Sequence, residues 1–195
     1  MNLNYYYWIF EKDLKENYCD KIIQEAEKIK KQKAGVGYKN KSNKNIRKSN
    51  LVWLNKPWIF ETLFPYIEKA NMNSGWNFQI DCYEKIQYTS YDKGHYYNWH
   101  CDSWPTPYGP EEGSLSGKIR KLSAIVLLSD EKDFQGGELE FDYRNKDKEN
   151  KEKVKNFNGK GTVIVFPSFL WHKVHKLTKG NRKTLVFWVC GDPYK

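Results

Sequence analysis

The sequence has no CxxC pair and no regular cysteine framework; its four cysteines, Cys19, Cys82, Cys101 and Cys190, are scattered. That argues against a zinc ribbon and against a disulfide scaffold, and it fits reduced thiols in an intracellular protein. No apolar run approaches the length of a transmembrane helix. The short opening stretch Tyr5–Phe10 is followed at once by Glu11, Lys12 and Asp13, so no secretory leader is expected. Together these absences predict a soluble, cytoplasmic protein. No internal repeat is present, which excludes a solenoid or propeller reading. Acidic residues are the minority among the charges, 24 against 33 basic, for a net charge of +9. The excess favours acidic partners or anionic ligands, although much of it sits in two polar runs, residues 35–50 and 146–155.

The remaining composition is that of a folded chain. Charged residues of both signs make up 29% and aromatics 16%, which argues against disorder and suits an aromatic-rich β core. A length of 195 residues predicts a single domain over 1–195. Tyr5–Phe10 reads as a buried strand. The spacing of Leu14, Tyr18, Ile22, Ala26 and Ile29 predicts an amphipathic helix from Leu14 to about Lys31. Residues 35–50 read as a mobile loop, Leu51–Leu54 as a strand, and Pro57 as the first turn of a helix reaching about Asn71. Beyond Trp76 the texture changes to strands: Phe78–Thr89, Leu122–Ser129, Leu139–Tyr143, Thr162–Phe166 and Thr184–Val189. Ser103–Gly117, with Pro105, Pro107, Pro110, Gly109 and Gly113, reads as a loop, and Lys146–Lys155 as a hairpin tip. The expected fold is mainly β with flanking helices: a helical buttress over about 11–71 and a jelly roll, or double-stranded β-helix, over about 76–190.

All four histidines fall in two short segments, YDKGHYYNWHCD with His95, His100 and Asp102, and FPSFLWHKVHKLTKGNR with His172, His175 and Arg182. On a strand, His100 and Asp102 would share a face because side chains alternate with period two. Two histidines and a carboxylate on one face of an octahedral metal, with three positions open, are the ligand set of non-haem Fe(II) oxygenases. The alternative for His100 and Asp102 is a hydrogen-bonded pair. Arg182 lies ten residues beyond His172, and a guanidinium fork matches a carboxylate such as the free end of 2-oxoglutarate; its alternative is an ion pair. His175, three residues after His172, points elsewhere in an extended segment and reads as a rim residue, as does His95.

Tyr91-x-x-Gly94-x-x-Tyr97-x-x-His100-x-Asp102, Gly136-Gly137-Glu138-Leu139 and Phe166-Pro167-Ser168…His172…Thr178-x-Gly180-x-Arg182 together resemble the prolyl 4-hydroxylase-type Fe(II)/2-oxoglutarate dioxygenases. Leu122-Ser123…Leu128-Ser129-Asp130…Gly136-Gly137-Glu138-Leu139 is similar to the bacterial PKHD-type hydroxylases. Arg47-x-Ser49-x-x-x-Trp53-Leu54 resembles a strand of the collagen-type enzymes. The resemblance implies iron on His100, Asp102 and His172. It implies 2-oxoglutarate on Arg182 with Tyr91 and, less directly, Thr184, and ascorbate as reductant. Trp188 shares the face of Arg182 by strand alternation, so it either walls the site or is plain core.

The reaction implied is hydroxylation with release of succinate and CO2. Related halogenases lack the carboxylate ligand, so Asp102 implies hydroxylation rather than halogenation. The family favours a proline-containing peptide or protein as substrate, a procollagen-proline 4-dioxygenase-like activity. Ser103–Gly117 and 35–50 are then candidate lids, and Trp104, Tyr108 and Trp99 candidates to stack on proline. The alternatives are an AlkB-like nucleic-acid demethylase and a non-catalytic basic jelly roll that binds RNA. The demethylases typically carry a second arginine six residues after the first, where this sequence has Trp188.

Overall fold

The computed structural model describes residues 3, 5–35, 45–144 and 150–194. In chain order its elements are β1 (Trp8–Phe10), α1 (Glu16–Glu27), β2 (Gln32–Lys33), β3 (Arg47–Lys48), β4 (Asn50–Leu54), α2 (Pro57–Asn73), β5 (Cys82–Tyr83), β6 (Ile86–Asp92) and β7 (Tyr96–His100). Then follow β8 (Ile119–Leu127), β9 (Phe134–Gly136), β10 (Leu139–Asp142), β11 (Lys151–Lys153), β12 (Val163–Pro167), β13 (Trp171–Val174) and β14 (Leu177–Gly191). A nine-stranded sheet has the order β1-β12-β8-β14-β6-β4-β2, with β5 and β9 also paired to β14. A five-stranded sheet has the order β11-β10-β13-β7-β3. The two antiparallel sheets form the jelly roll, with both helices packed on the larger one.

The larger sheet is covered on both faces, which explains why β8 and β12 read as near-continuous apolar runs instead of alternating ones. Ala124, Val126, Leu185 and Phe187 point out to Ile22 and Ala26 of α1 and Ile59, Leu63 and Ile67 of α2. Their neighbours Ile125 and Leu127 point the other way, into the roll, with Ile164, Phe166, Phe141 and Val174. The helices follow from the same logic. Buried residues recur three or four apart, Cys19, Ile22 and Ala26 in α1 and Ile59, Leu63, Ile67 and Ala70 in α2, which puts one stripe against the sheet.

Several boundaries depart from expectation. The opening strand is only Trp8–Phe10, half-buried at the edge of the larger sheet, so Tyr5–Phe10 is not a buried strand. Helix α1 stops at Glu27, and the chain turns back to pair Gln32–Lys33 with β4. Within the expected loop 35–50, residues 36–44 lie outside the described residues, while Arg47–Lys48 pairs with β7. The charge run is likewise not all turn: residues 145–149 lie outside the described residues, but Lys151–Lys153 pairs with β10. Strand β14 is far longer than Thr184–Val189.

Gly180 permits that length. It sits inside β14 with φ +75°, and a Cβ there would stand 1.9 Å from the Asp133 carbonyl oxygen. Gly180→Ala combines left-handed strain with a backbone clash. We expect it to lower unfolding free energy by about 2 kcal/mol or more, read from urea denaturation against wild type. Wild-type stability in that variant would contradict the close approach.

Candidate active site

His100 and His172 are direct cross-strand partners on β7 and β13, so strand pairing brings together residues 72 apart in sequence. Their rings lie 4.1 Å apart, tilted by 56°. Asp102 is not on the strand. Strand β7 ends at His100 and the chain bends, so strand alternation is not what aligns His100 with Asp102. The bend itself is fixed instead: the Asp102 and Ser103 N–H groups both donate to the Ser168 carbonyl, at 2.8 and 2.9 Å. Ser123 Oγ donates to Asp102 Oδ2 at 2.8 Å and lies 2.8 Å from Ser168 Oγ. His100 Nε2 stands 3.8 Å from Asp102 Oδ1, and His172 Nε2 3.8 Å from Asp102 Oδ2. The three ligand atoms lie within 4.8 Å of one another, near the roughly 3–4 Å spacing of atoms that share an ion at about 2.1 Å.

The protonation states suit a metal. His100 Nδ1 is 2.8 Å from the Asn98 carbonyl and His172 Nδ1 2.9 Å from the Leu170 carbonyl. A carbonyl can only accept, so each Nδ1 carries the proton and each Nε2 presents a lone pair. Burial, reinforced by the neighbouring His172, holds His100 well below the usual histidine range, against the pull of Asp102. Burial disfavours ionisation of Asp102, but His172, His100 and Arg120 together outweigh it and hold the carboxyl at about 2. A metal would take the place of any proton on the two Nε2 atoms, and two imidazoles with one carboxylate, the rest of the coordination sphere open to a cavity, fit iron binding.

That cavity measures about 220 Å³ and is lined by all three of these side chains together with Tyr91, Arg182, Thr184 and Trp188. Arg182, Thr184, Val186 and Trp188 alternate along β14 and all face it, so the walling role of Trp188 holds. Arg182 lies in mid-strand rather than at a strand start, opposite Tyr91 on β6. It is 2% exposed, and its side chain makes no ion pair or hydrogen bond among the described residues. Its guanidinium sits among the rings of Tyr91, Phe157 and Phe134 at 5.7, 5.7 and 6.0 Å. Burial pulls its pKa down to about 10, with Tyr91 and Glu138 opposing. Gly137 makes room for it, since a Cβ there would press on Arg182 Cδ at 3.0 Å. Tyr91 and Thr184, 4% and 2% exposed, lie where their hydroxyl-bearing side chains line the same cavity.

Sequence reasoning missed a second polar group in the wall. Arg120 is gripped by Glu84 through Nε and Nη2, lies 3.9 Å from the Trp188 ring and 4.9 Å from the Trp104 ring, and reaches the Asp102 carbonyl at 3.4 Å. Tyr108 also donates to Glu84. The segment 103–117 is therefore packed, with a short helical turn over Pro110–Leu115 and paired ends, Tyr108 N–H to Lys118 O and Gly117 N–H to Tyr108 O; an open, poorly packed loop is not what is found. Trp104 and Tyr108 line the cavity. Trp99 does not. Its ring takes Lys173 and Lys151 at 4.6 and 5.7 Å on the other side of the small sheet. His175 is engaged by Glu140 at 2.7 Å and His95 by the Asp92 N–H at 3.1 Å, so neither joins the triad. Only the bonding pattern reveals Ser123, Ser168, Glu84 and Arg120; their sequence signal is two serines inside quoted motifs.

Fold and ligand geometry define a jelly-roll protein with a two-histidine, one-carboxylate centre open to a cavity. Residues 86–190 match the family model of the 2OG-Fe(II) oxygenase superfamily, and the chain belongs to that superfamily. Its sequence relatives include PKHD-type hydroxylases of Idiomarina loihiensis (27% identical over 105 residues, 54% of this chain and 41% of the relative) and Prochlorococcus marinus strain NATL2A (33% over 104 residues, 53% and 40%). The match spans about two fifths of the length of these curated relatives. The fold is shared with a viral collagen prolyl hydroxylase from Paramecium bursaria Chlorella virus-1 solved as a 2OG complex (TM-score 0.63, 20% identity, 96% of this chain and 97% of the other). It is shared too with a Trichoplax adhaerens prolyl hydroxylase bound to a peptide fragment of hypoxia inducible factor (TM-score 0.71, 18% identity, 95% and 84%).

Proposed function

We propose that the chain is an Fe(II)- and 2-oxoglutarate-dependent hydroxylase acting on a proline-containing peptide or protein, with ascorbate as reductant. The observation that carries this reading is Arg182, a buried guanidinium with no ion pair among the described residues, in the cavity that also holds His100, Asp102 and His172. An isolated buried cation is costly, and a dicarboxylate reaching from the metal supplies its missing partner. Iron and 2-oxoglutarate supply the chemistry, the reduction of O2 coupled to decarboxylation to succinate and CO2, with one oxygen passing to the substrate.

The chain's own residues bind and orient. His100 and His172 hold the metal through Nε2, and Asp102 through a carboxylate that Ser123 keeps in place. Arg182 receives the distal carboxylate as a bidentate fork, with Tyr91 and Thr184 hydroxyls beside it. Ile125, Val186 and Trp188 give the pocket apolar walls that limit water. The proline preference draws on the prolyl hydroxylases that share the fold, one of them solved in complex with a peptide fragment.

The test incubates the protein with Fe(II), ascorbate, 2-oxoglutarate and a panel of proline peptides and methylated oligonucleotides. A gain of one oxygen on proline with matching succinate is expected. Demethylated oligonucleotides with untouched peptides would replace this reading with the AlkB-like one. A finer prediction concerns Ser123→Ala, which frees the Asp102 carboxylate. Loss of such a supporting hydrogen bond should weaken metal binding about 10–100-fold with little change in melting temperature. Metal titration of the folded variant checks it, and unaltered affinity would remove Ser123 from the site.

A further inference from the structure

A third arginine lines the cavity, and the oxygenase reading leaves it without a role. Arg47, on β3, is 7% exposed. Its side-chain contacts among the described residues are neutral: Nε donates to Ser49 Oγ at 2.9 Å, Nη2 lies 3.5 Å from Thr89 Oγ1, and the guanidinium stacks 4.5 Å from the Tyr97 ring. No carboxylate pairs with it among the described residues. Hydroxyls and a ring satisfy some of its N–H groups but do not neutralise its charge, and a buried charge without a counter-charge is retained at a cost.

The other cavity cations are balanced. Glu84 neutralises Arg120, and in the reading above 2-oxoglutarate neutralises Arg182 while the metal takes Asp102. Arg47 is the remaining cavity arginine, and no carboxylate bonds to it among the described residues. Its position is set by a stack: the far face of Tyr97 lies on the His100 ring, centroids 3.4 Å apart and nearly parallel at 10°. Tyr97 and His100 stack although they are three residues apart because of an irregularity in the β7–β13 register, where His172 pairs with His100 but Val174 with Tyr97. The guanidinium therefore stands one ring away from His100, in the wall of the same cavity.

We propose that Arg47 reads a carboxylate on the substrate, so that the oxidised residue lies beside an acidic group. The proposal rests on the oxygenase reading. The carboxylate has two sources with one chemistry, an Asp or Glu side chain adjacent to the target or the α-carboxylate of a chain end.

The test needs no variant at first. Matched peptides carry Glu or Gln next to proline, and a free or amidated C-terminus directly after it. Each is titrated calorimetrically into the Fe(II) and 2-oxoglutarate-loaded protein under nitrogen, then assayed in air for peptide-driven succinate. We expect either the Glu or the free-terminus peptide to bind at least about tenfold more tightly than its neutral match, as a charge-assisted fork contact requires. Whichever it is identifies the source.

In Arg47→Gln the acidic-to-neutral ratio should collapse toward one, and Arg47→Lys should retain part of it. A ratio within one protein is insensitive to partial loss of folded material. Equal binding of all four peptides, with succinate still formed, overturns the role of Arg47 alone. A shift of the 2-oxoglutarate requirement in Arg47→Gln at an unchanged peptide ratio overturns it too. Absence of any iron-dependent succinate in the wild type strikes the oxygenase reading instead.

Discussion

Asp102→Ala is expected to abolish iron-dependent succinate release, and to weaken metal binding by clearly more than the roughly 10–100-fold that loss of a supporting hydrogen bond costs. The reason is electrostatic as well as geometric. Asp102 is the one anionic donor of the triad, held at about 2 by His172, His100 and Arg120 against its own burial. Without it two imidazoles face each other across 4.1 Å, and a dication loses the anionic ligand of the triad. Asp102→Asn separates the effects, since the amide keeps volume and one oxygen but no charge. The fold should survive, because Ser168 holds the bend through the backbone of Asp102 and Ser103. Metal stoichiometry after gel filtration, succinate by mass spectrometry and melting temperature together decide the matter. Full metal occupancy in Asp102→Ala would remove the carboxylate from the centre.

The ligand types and their convergence were legible in the sequence, but for a partly different reason than the one that operates. Period two placed His100 and Asp102 on a common face, yet Asp102 lies past the end of β7 and is positioned by Ser168. Strand β13 went unseen because Trp171–Val174 is four residues long and directly follows a turn; its register partner β7 is fixed only by long-range pairing. The extent of β14 was hidden by Gly180 and the polar stretch around it, which read as a break until the Asp133 backbone is seen packed against that glycine. Both helices and the apolar strands β8 and β12 were readable, since burial on both faces leaves a strong composition signal. The Arg120–Glu84 pair was not, because two charged residues 36 apart carry no local pattern.

Arg182→Ala should raise the 2-oxoglutarate requirement by about 30-fold to a few thousandfold, the consequence of losing roughly 2–5 kcal/mol when one partner of a buried charge pair is truncated. Metal binding should be nearly unchanged, because Arg182 acts on the far carboxylate and is no ligand. Arg182→Lys should fall between, keeping the charge and losing the fork. The unliganded protein offers a second readout. An arginine that held the fold together would destabilise it strongly on removal, but Arg182 has no ion pair or hydrogen bond to lose among the described residues, and its burial pulls its pKa to about 10. Truncation therefore removes an uncompensated charge along with some packing against Tyr91 and Phe157, two effects of opposite sign. With metal present, 2-oxoglutarate at a hundred times its Kd should stabilise the wild type by about 2.7 kcal/mol, several degrees in a chain of this size by the usual scaling of roughly 2–4 °C per kcal/mol. The same concentration should leave Arg182→Ala almost unmoved. An equal thermal shift in both proteins would place the distal carboxylate elsewhere and leave the buried guanidinium of Arg182 to serve another anion.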